Sequence, residues 1–268
     1  MSEIISPESK SSHEELGNRI KTYESKFTAQ KIDPSLPFVM RFDGHGFSKF
    51  TGGLHKPYDY NFHQAFINTA IALIREFRAD TVYTHSDEIS LLFYPKKQKN
   101  SEKWREPHFG GRIQKMVTTA TGFCTMTFNR ELYSIFSTLA PEYPEFREGS
   151  SRNSADSFVR TANKEYPETT FKRMVGFQAY FDCRIFQLPS DVEMFSYMFW
   201  GSKVDCVRNN VYLLARRNFT KGELDKKSTK NRIQMLATKG IDWLKEPPCE
   251  SLRIGATGRA LASQEPSC

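Results

Sequence analysis

Two hydrophobic periods alternate along this chain. Phe62, Phe66, Ala70, Leu73 and Phe77 recur at spacings of four, four, three and four, which is one stripe of an amphipathic helix. A second helix is predicted from about Gly111 to Phe128, with Ile113, Met116, Val117, Ala120, Cys124 and Phe128 on one side. Between and around these lie β-rich runs. Phe38–Phe42 reads as a strand that passes into Asp43-Gly44-His45-Gly46-Phe47, a turn with two glycines. Thr81–His85 and Ile89–Tyr94 flank Ser86-Asp87-Glu88 and read as a hairpin with a tight acidic turn. A further strand is expected over Val175–Phe186. Helices are predicted at about 14–27, 191–200, 203–217 and 229–239. The order predicts an α+β fold: a split βαββαβ, ferredoxin-like unit with additional C-terminal helices. The palm domains of nucleotide-polymerising enzymes use this architecture, but a fold alone does not fix a function.

The same reading divides the chain. Residues 1–13 are expected to be disordered and 14–140 to form a palm-like catalytic core. Residues 141–170, polar and rich in Ser, Pro and Glu, read as an insertion or mobile loop. Residues 171–245 complete the core and its C-terminal helices, and 246–268 form a tail. The 268 residues suffice for a sizeable core. Aromatic residues at 13% are too frequent for a disordered chain, and no apolar run is long enough to span a bilayer. Five cysteines without a C-x-x-C pair fit neither a disulfide framework nor a zinc site. Reduced thiols and a polar, acidic N-terminus lead to the expectation of a cytoplasmic protein. The net charge of +7 favours phosphate-bearing partners, and Lys96–Arg105 is a basic, polar loop.

The candidate chemistry lies in two acidic turns. Asp43 ends the first strand, and Asp87 follows 44 residues later in the hairpin turn. In a split βαββαβ sheet that hairpin is the first strand's neighbour, so both carboxylates can enter one cleft, with Glu88 beside them. Paired carboxylates suit Mg²⁺, which takes oxygen ligands and keeps waters and substrate phosphates as the rest. Two such ions stabilise the attacking and leaving oxygens of a phosphoryl displacement. Gly44 and Gly46 let the backbone approach a ligand, and successive amides there could hold a triphosphate. Arg41, Lys56, Arg112 and Lys115 are candidate neutralising cations. Each turn alone is also an ordinary hairpin connection. His45, His55 and His85 read as surface or packing residues rather than a metal site.

Phe38–Phe50 (FVMRFDGHGFSKF), Lys56-Pro57 with Asp59, and His85–Phe93 (HSDEISLLF) resemble the tRNA-histidine guanylyltransferase family. The likeness is greatest to its guanylyltransferase-like branch, the 3'-to-5' polymerases. It extends through Leu16–Glu24, Phe181–Arg184, Asp205-Cys206, Asn209-Asn210 and Lys230-Asn231, covering roughly residues 14–245. The resemblance implies a palm-like core with two Mg²⁺ ions on Asp43, the Gly44 carbonyl and Asp87, and it makes Glu88 essential. It implies a nucleoside triphosphate held by Asp43, Gly44, His45, Gly46, Phe47 and Ser48, with Ser86 and Asp87. Arg41, Lys56, Arg112 and Lys115 match phosphate contacts, and Asp59 matches a position near the nucleotide. Asn209, Asn210 and Lys230 match contacts to tRNA or a second nucleotide. ATP, GTP and other nucleoside triphosphates would be substrates, tRNA the partner, and a homotetramer the assembly.

Departures from the family pattern sharpen this expectation. Guanylyltransferases proper carry H-I-N-N-L-Y-N, whereas this chain has Val207-Arg208-Asn209-Asn210-Val211-Tyr212-Leu213. The D-K-N-E motif reads Thr229-Lys230-Asn231-Arg232. Loss of the His favours template-directed repair of tRNA 5' ends over dedicated addition of one guanosine to tRNA-histidine. The alternatives are that dedicated guanylyltransferase, another palm enzyme such as a nucleotide cyclase, or a non-catalytic RNA-binding relative.

Overall fold

The structure, a computed structural model, describes residues 7–55, 59–139, 165–244, 252–255 and 260–261. The strands are β1 (Phe38–Gly44), β2 (Thr81–His85), β3 (Glu88–Phe93), β4 (Phe181–Gln187), β5 (Leu252–Gly255) and β6 (Ala260–Leu261). They form one sheet in the order β4-β1-β3-β2-β5-β6, every neighbouring pair antiparallel. Helix α1 (Pro7–Thr28) precedes the sheet. The short α2 (Phe47–Phe50) and long α3 (Tyr60–Phe77) join β1 to β2. Helices α4 (Ile113–Ser137) and α5 (Glu168–Val175) lie between β3 and β4. After β4, α6 (Asp191–Phe199) runs through a π-helical turn (Trp200–Asp205) into α7 (Cys206–Asn218), and α8 (Thr229–Thr238) follows.

Strand alternation divides the sheet into two faces. Phe38, Met40 and Phe42 of β1 stand in register with Phe93, Leu91 and Ile89 of β3. These residues are buried in one core with α3 and α4. At its centre the rings of Phe47, Phe62, Phe66, Phe128 and Phe181 pack edge-on or tilted, with Phe66 and Phe128 only 4.6 Å apart. Burying each such ring contributes roughly 1.5–3 kcal/mol. On the opposite face, Val39 and Leu92 are covered by Met194 and Met198 of α6. Further along β1, toward Gly44, that face becomes polar. A second, small core joins Val211, Leu214 and Ala215 of α7 to Leu224 and Leu236.

Several boundaries differ from expectation. Helix α1 already begins at Pro7, inside the segment expected to be disordered; proline's fixed φ suits a first helical turn. Val175 ends a helix rather than opening a strand, because Phe171 and Met174, three apart, both bury against the core. Residues 168–170, expected in the polar insertion, belong to that helix, and Tyr166 just before it is buried. The remainder of the expected insertion, 141–164, lies outside the described residues. The two helices expected at 191–217 are one continuous rod joined by the π-helical turn. Two short segments of the expected tail pair with β2 and with each other at the sheet edge. Among the described residues, no helix is long and apolar enough to cross a membrane.

Candidate active site

β1 ends in Asp43-Gly44, and the chain turns at once into α2. Phe47, buried in the aromatic core, lies directly over Gly44, so a Cβ at Gly44 would stand 2.7 Å from its ring. Gly46 precedes α2 with φ +67°, a left-handed conformation that glycine adopts without strain. The turn is fastened by the His45 amide donating to the Tyr180 carbonyl at 3.0 Å, with the His45 and Tyr180 rings stacked. The amides of Gly46, Phe47 and Ser48 find no acceptor among the described residues. The Gly44 amide donates to the carbonyl of Asp87 at 3.0 Å, tying this turn to the β2–β3 turn. There Ser86 has φ +55°, and its hydroxyl donates to Asp87 Oδ1 at 3.0 Å.

The register sets a row of polar side chains across the sheet on the face away from the main core. Asp43 pairs with Glu88 of β3 and with Asp182 of β4, and Glu88 pairs with His85 of β2. Directly opposed antiparallel residues have Cα atoms roughly 4.5–5.5 Å apart. The next row holds Arg184, Arg41, Ser90 and Tyr83. Burial pushes the Asp43 carboxyl above its ordinary range; repulsion from Asp87 and Asp182 adds to this, while Arg184 and Arg41 oppose it. Burial likewise raises Glu88, with Arg41 opposing and Asp43, Asp205 and Asp87 adding to the shift. The cation nearest Asp43 is Arg184, at 3.8 Å. The negative charge is therefore only partly compensated.

The C-terminal rod supplies the other wall. Tyr197 of α6 shares a 2.8 Å hydrogen bond with buried Ser90 and stands close to the Arg41 side chain. Arg41 keeps a buried Nε with no partner among the described residues. Gly201, in the π-helical turn, packs on Tyr83, where a Cβ would come within 3.3 Å of the ring. Asp205, at the end of that turn, is buried; it pairs with Arg208 and accepts from Asn209 at 3.4 Å. Inserted turns of this kind are frequent at functional sites.

Of the residues expected at the site, Asp43, Gly44, Asp87, Glu88, Ser86 and Arg41 gather at one end of β1 and β3, with His45, Gly46, Phe47 and Ser48 in the adjoining turn. Asn209 reaches the rim through Asp205, with Asn210 next to it on α7. Asp59 is buried and serves as the N-cap of α3, accepting from Phe62 and His55 amides at 3.0 and 3.1 Å. Tyr166 donates to the same carboxylate at 3.3 Å. Arg112 and Lys115 stand exposed at the start of α4. Helix α4 runs antiparallel to β4: Phe128 meets Phe181, while the Ile113 amide donates to Gln30 near the far end of the sheet. Within one chain these two cations are therefore separated from Asp43 by about the length of β1, roughly 17–20 Å. Lys230 is exposed on α8, and Lys56 lies outside the described residues. Asp182, Arg184, Tyr197 and Asp205 were not expected at the site. Asp182 and Arg184 had a usable signal, since alternate residues of a strand share a face, and Asp205 stood in a segment that matches the family; Tyr197 had none.

All the carboxylates are hard oxygen donors, and their mutual repulsion is what a divalent cation would relieve. Among the described residues no three His, Cys, Asp or Glu side chains form a metal cage. Mg²⁺ does not need one, because one or two carboxylates, carbonyls and waters suffice. Asp43, the Gly44 carbonyl and Asp87 fit that requirement.

A carboxylate row on an antiparallel sheet, beside a turn of free amides, is an arrangement that suits phosphate chemistry. The family described as Thg1, tRNAHis guanylyltransferase, matches residues 17–189, from within α1 to just past β4. The chain belongs to this family, whose members are nucleotidyltransferases acting on tRNA. A viral relative, uncharacterized protein R259 of Acanthamoeba polyphaga mimivirus, is 30% identical over 229 residues, 84% of this chain and 70% of the viral protein. A bacterial tRNA(His) guanylyltransferase (Thg1)-like protein in complex with ATP is 26% identical, with a TM-score of 0.66 over 92% of this chain and 91% of that one. The tRNA(His) guanylyltransferase of Saccharomyces cerevisiae shares the fold at 18% identity, with a TM-score of 0.58 over 91% and 95% of the two chains.

Proposed function

We propose that this protein is a Mg²⁺-dependent 3'-to-5' nucleotidyltransferase with a palm-like core that restores tRNA 5' ends by template-directed addition. The observation that carries the reading is the convergence of Asp43, Asp87 and Glu88 at one strand end, with Gly44 hydrogen-bonded between the two turns. The bacterial relative's complex with ATP supports a nucleoside triphosphate at this site, and GTP and other nucleoside triphosphates are the further expected substrates. Asp43, the Gly44 carbonyl and Asp87 would hold two Mg²⁺ ions. Bound there, the ions would neutralise phosphate charge and stabilise the attacking and leaving oxygens of an in-line displacement. The amides of Gly46, Phe47 and Ser48 would hold a triphosphate. Arg41, with Tyr197 close beside it, would face its charge. Glu88 sets the field in which both aspartates work.

The reaction would run in two displacements. A tRNA 5'-monophosphate attacks the α-phosphate of ATP, leaving an adenylylated end and pyrophosphate. The 3'-hydroxyl of the incoming nucleotide then attacks that end and AMP leaves. Val207, where guanylyltransferases proper carry His, favours repair over addition of a single guanosine. A homotetramer is part of the reading. Two apolar stripes, Leu16, Ile20, Tyr23 and Phe27 on α1 and Val192, Phe195 and Phe199 on α6, face solvent in the single chain, as surfaces between copies would.

The deciding experiment offers the protein Mg²⁺, ATP and all four nucleotides with two RNAs: full-length tRNA-histidine and a 5'-truncated tRNA of another identity. Extension of the truncated RNA that stops at a completed acceptor stem is the expected result. One guanosine added only to tRNA-histidine would make the protein a dedicated guanylyltransferase. Cyclic nucleotide formed without RNA would make it a cyclase.

A further inference from the structure

The segment between β3 and α4 reads from sequence as a basic, polar loop, either simply solvated or in contact with RNA. It is an ordered ribbon. Lys97 and Trp104 form an antiparallel bridge. The Gln98 amide donates to Lys103 at 2.8 Å and the Arg105 amide to Lys96 at 2.7 Å, and Asn100 takes the left-handed conformation at the tip. Its ten residues, 96–105, carry five Lys or Arg and one Glu, a net +4 of the chain's +7. Two of these cations are already engaged: Lys96 with Asp80, and Lys97 with Glu102 and over the Trp104 ring. Lys99, Lys103 and Arg105 are exposed and have no acidic partner among the described residues. Trp104 is 36% exposed between two of them. Behind the ribbon lies a cleft of about 260 Å³ floored by Phe38, Phe77 and Phe93 and rimmed by Arg78, Lys96 and Arg105.

We infer that this ribbon is a docking surface for the sugar–phosphate backbone of the RNA substrate. A stiff strip of unpaired cations with an exposed indole between them is complementary to phosphates and stacked bases. Among the described residues no acidic side chain pairs with Lys99, Lys103 or Arg105. It sits beyond Phe93, at the opposite end of β3 from Glu88, so it is about 17 Å or more from the carboxylates along the strand. It therefore positions RNA and does not touch the reacting atoms. The inference rests on the nucleotidyltransferase reading for the identity of the RNA, and its test does not depend on turnover.

The test measures binding of a fluorescent 5'-truncated tRNA across a range of salt concentrations. It compares the full chain with the triple variant Lys99→Ala, Lys103→Ala, Arg105→Ala and with a charge-keeping variant, Lys99→Arg, Lys103→Arg. Each lost phosphate contact lowers the slope of log affinity against log salt by nearly one. The triple variant is expected to lose about two to three from that slope and roughly 10- to 100-fold in affinity at physiological salt. The arginine variant is expected to match wild type. At saturating RNA, the rate of nucleotide addition should stay unchanged while KM for RNA rises. A wild-type salt slope in the triple variant would overturn the inference. If the slope falls in a chain that adds no nucleotides, the ribbon stands and the enzymatic reading fails.

Discussion

Phe42 and Asp43 are consecutive in β1, yet they face opposite sides of the sheet and answer opposite demands. Phe42 is fully buried among apolar neighbours and adds stability through burial. Asp43 stands in a row with Glu88 and Asp182, where like charges crowd and Arg184 and Arg41 relieve them only in part. One face of the sheet is locally consistent at every position. The other holds unpaired charge that the first face must offset, as expected where function overrides stability. A single strand thus both anchors the fold and presents the charge of the candidate site, and one residue step switches between the two.

That contrast can be broken from either side. The largest effect on folding is expected from Phe42→Ala, which should cost about 3–5 kcal/mol in denaturant unfolding, because the cavity lies under the sheet. Tyr197→Phe should cost roughly 1–3 kcal/mol by leaving the buried Ser90 hydroxyl unpaired. It should also raise KM for the nucleoside triphosphate, since Arg41 loses the hydroxyl close beside it; an unchanged KM would separate Tyr197 from the site. Gly46→Ala forces a Cβ into a left-handed turn and should cost about 1–2 kcal/mol, with slower nucleotide addition because the turn amides shift. The smallest effect concerns Cys183, on the core face of β4. Burial, reinforced by Asp182, pushes its thiol up to about 12. Near pH 8 its alkylation should be roughly a thousandfold slower than that of an ordinary thiol of pKa near 9. Above about pH 9 the unfolded chain releases this proton while the folded chain keeps it, so stability falls as pH rises from there toward 12. Cys183→Ser should flatten that slope.

The helix α3 and the three strands β1–β3 were legible because period and turn residues agreed there: Phe62 to Phe77 at helical spacing, the glycines after Asp43, and a polar turn between two β-rich runs. That was enough to bring Asp43 and Asp87 together. The illegible parts depended on tertiary partners. Residues 168–175 form a helix because Phe171 and Met174 meet the core; its local marks, Glu168 in the first turn, Lys172 and Arg173 in the last and Gly176 after it, lie at the edge of a polar stretch that reads as an insertion. Leu252–Gly255 adds to the sheet only because β2 offers an open edge. Tyr197 and Asp205 arrive at the site on a rod folded back across the sheet, a long-range contact with no local pattern. Arg112 and Lys115 were expected beside the triphosphate on chemical type, but the direction of α4 carries them to the other end of the sheet.

The central claim is that the charged end of β1, and not merely the fold it belongs to, performs nucleotide addition. Its most direct test is single-turnover addition to a 5'-truncated tRNA by wild type, Asp43→Asn and Asp87→Asn, each checked for an unchanged unfolding midpoint. Both variants should remain folded, bind tRNA as wild type does, and lose addition by roughly a thousandfold or more. Retention of wild-type rates by either folded variant would contradict the account.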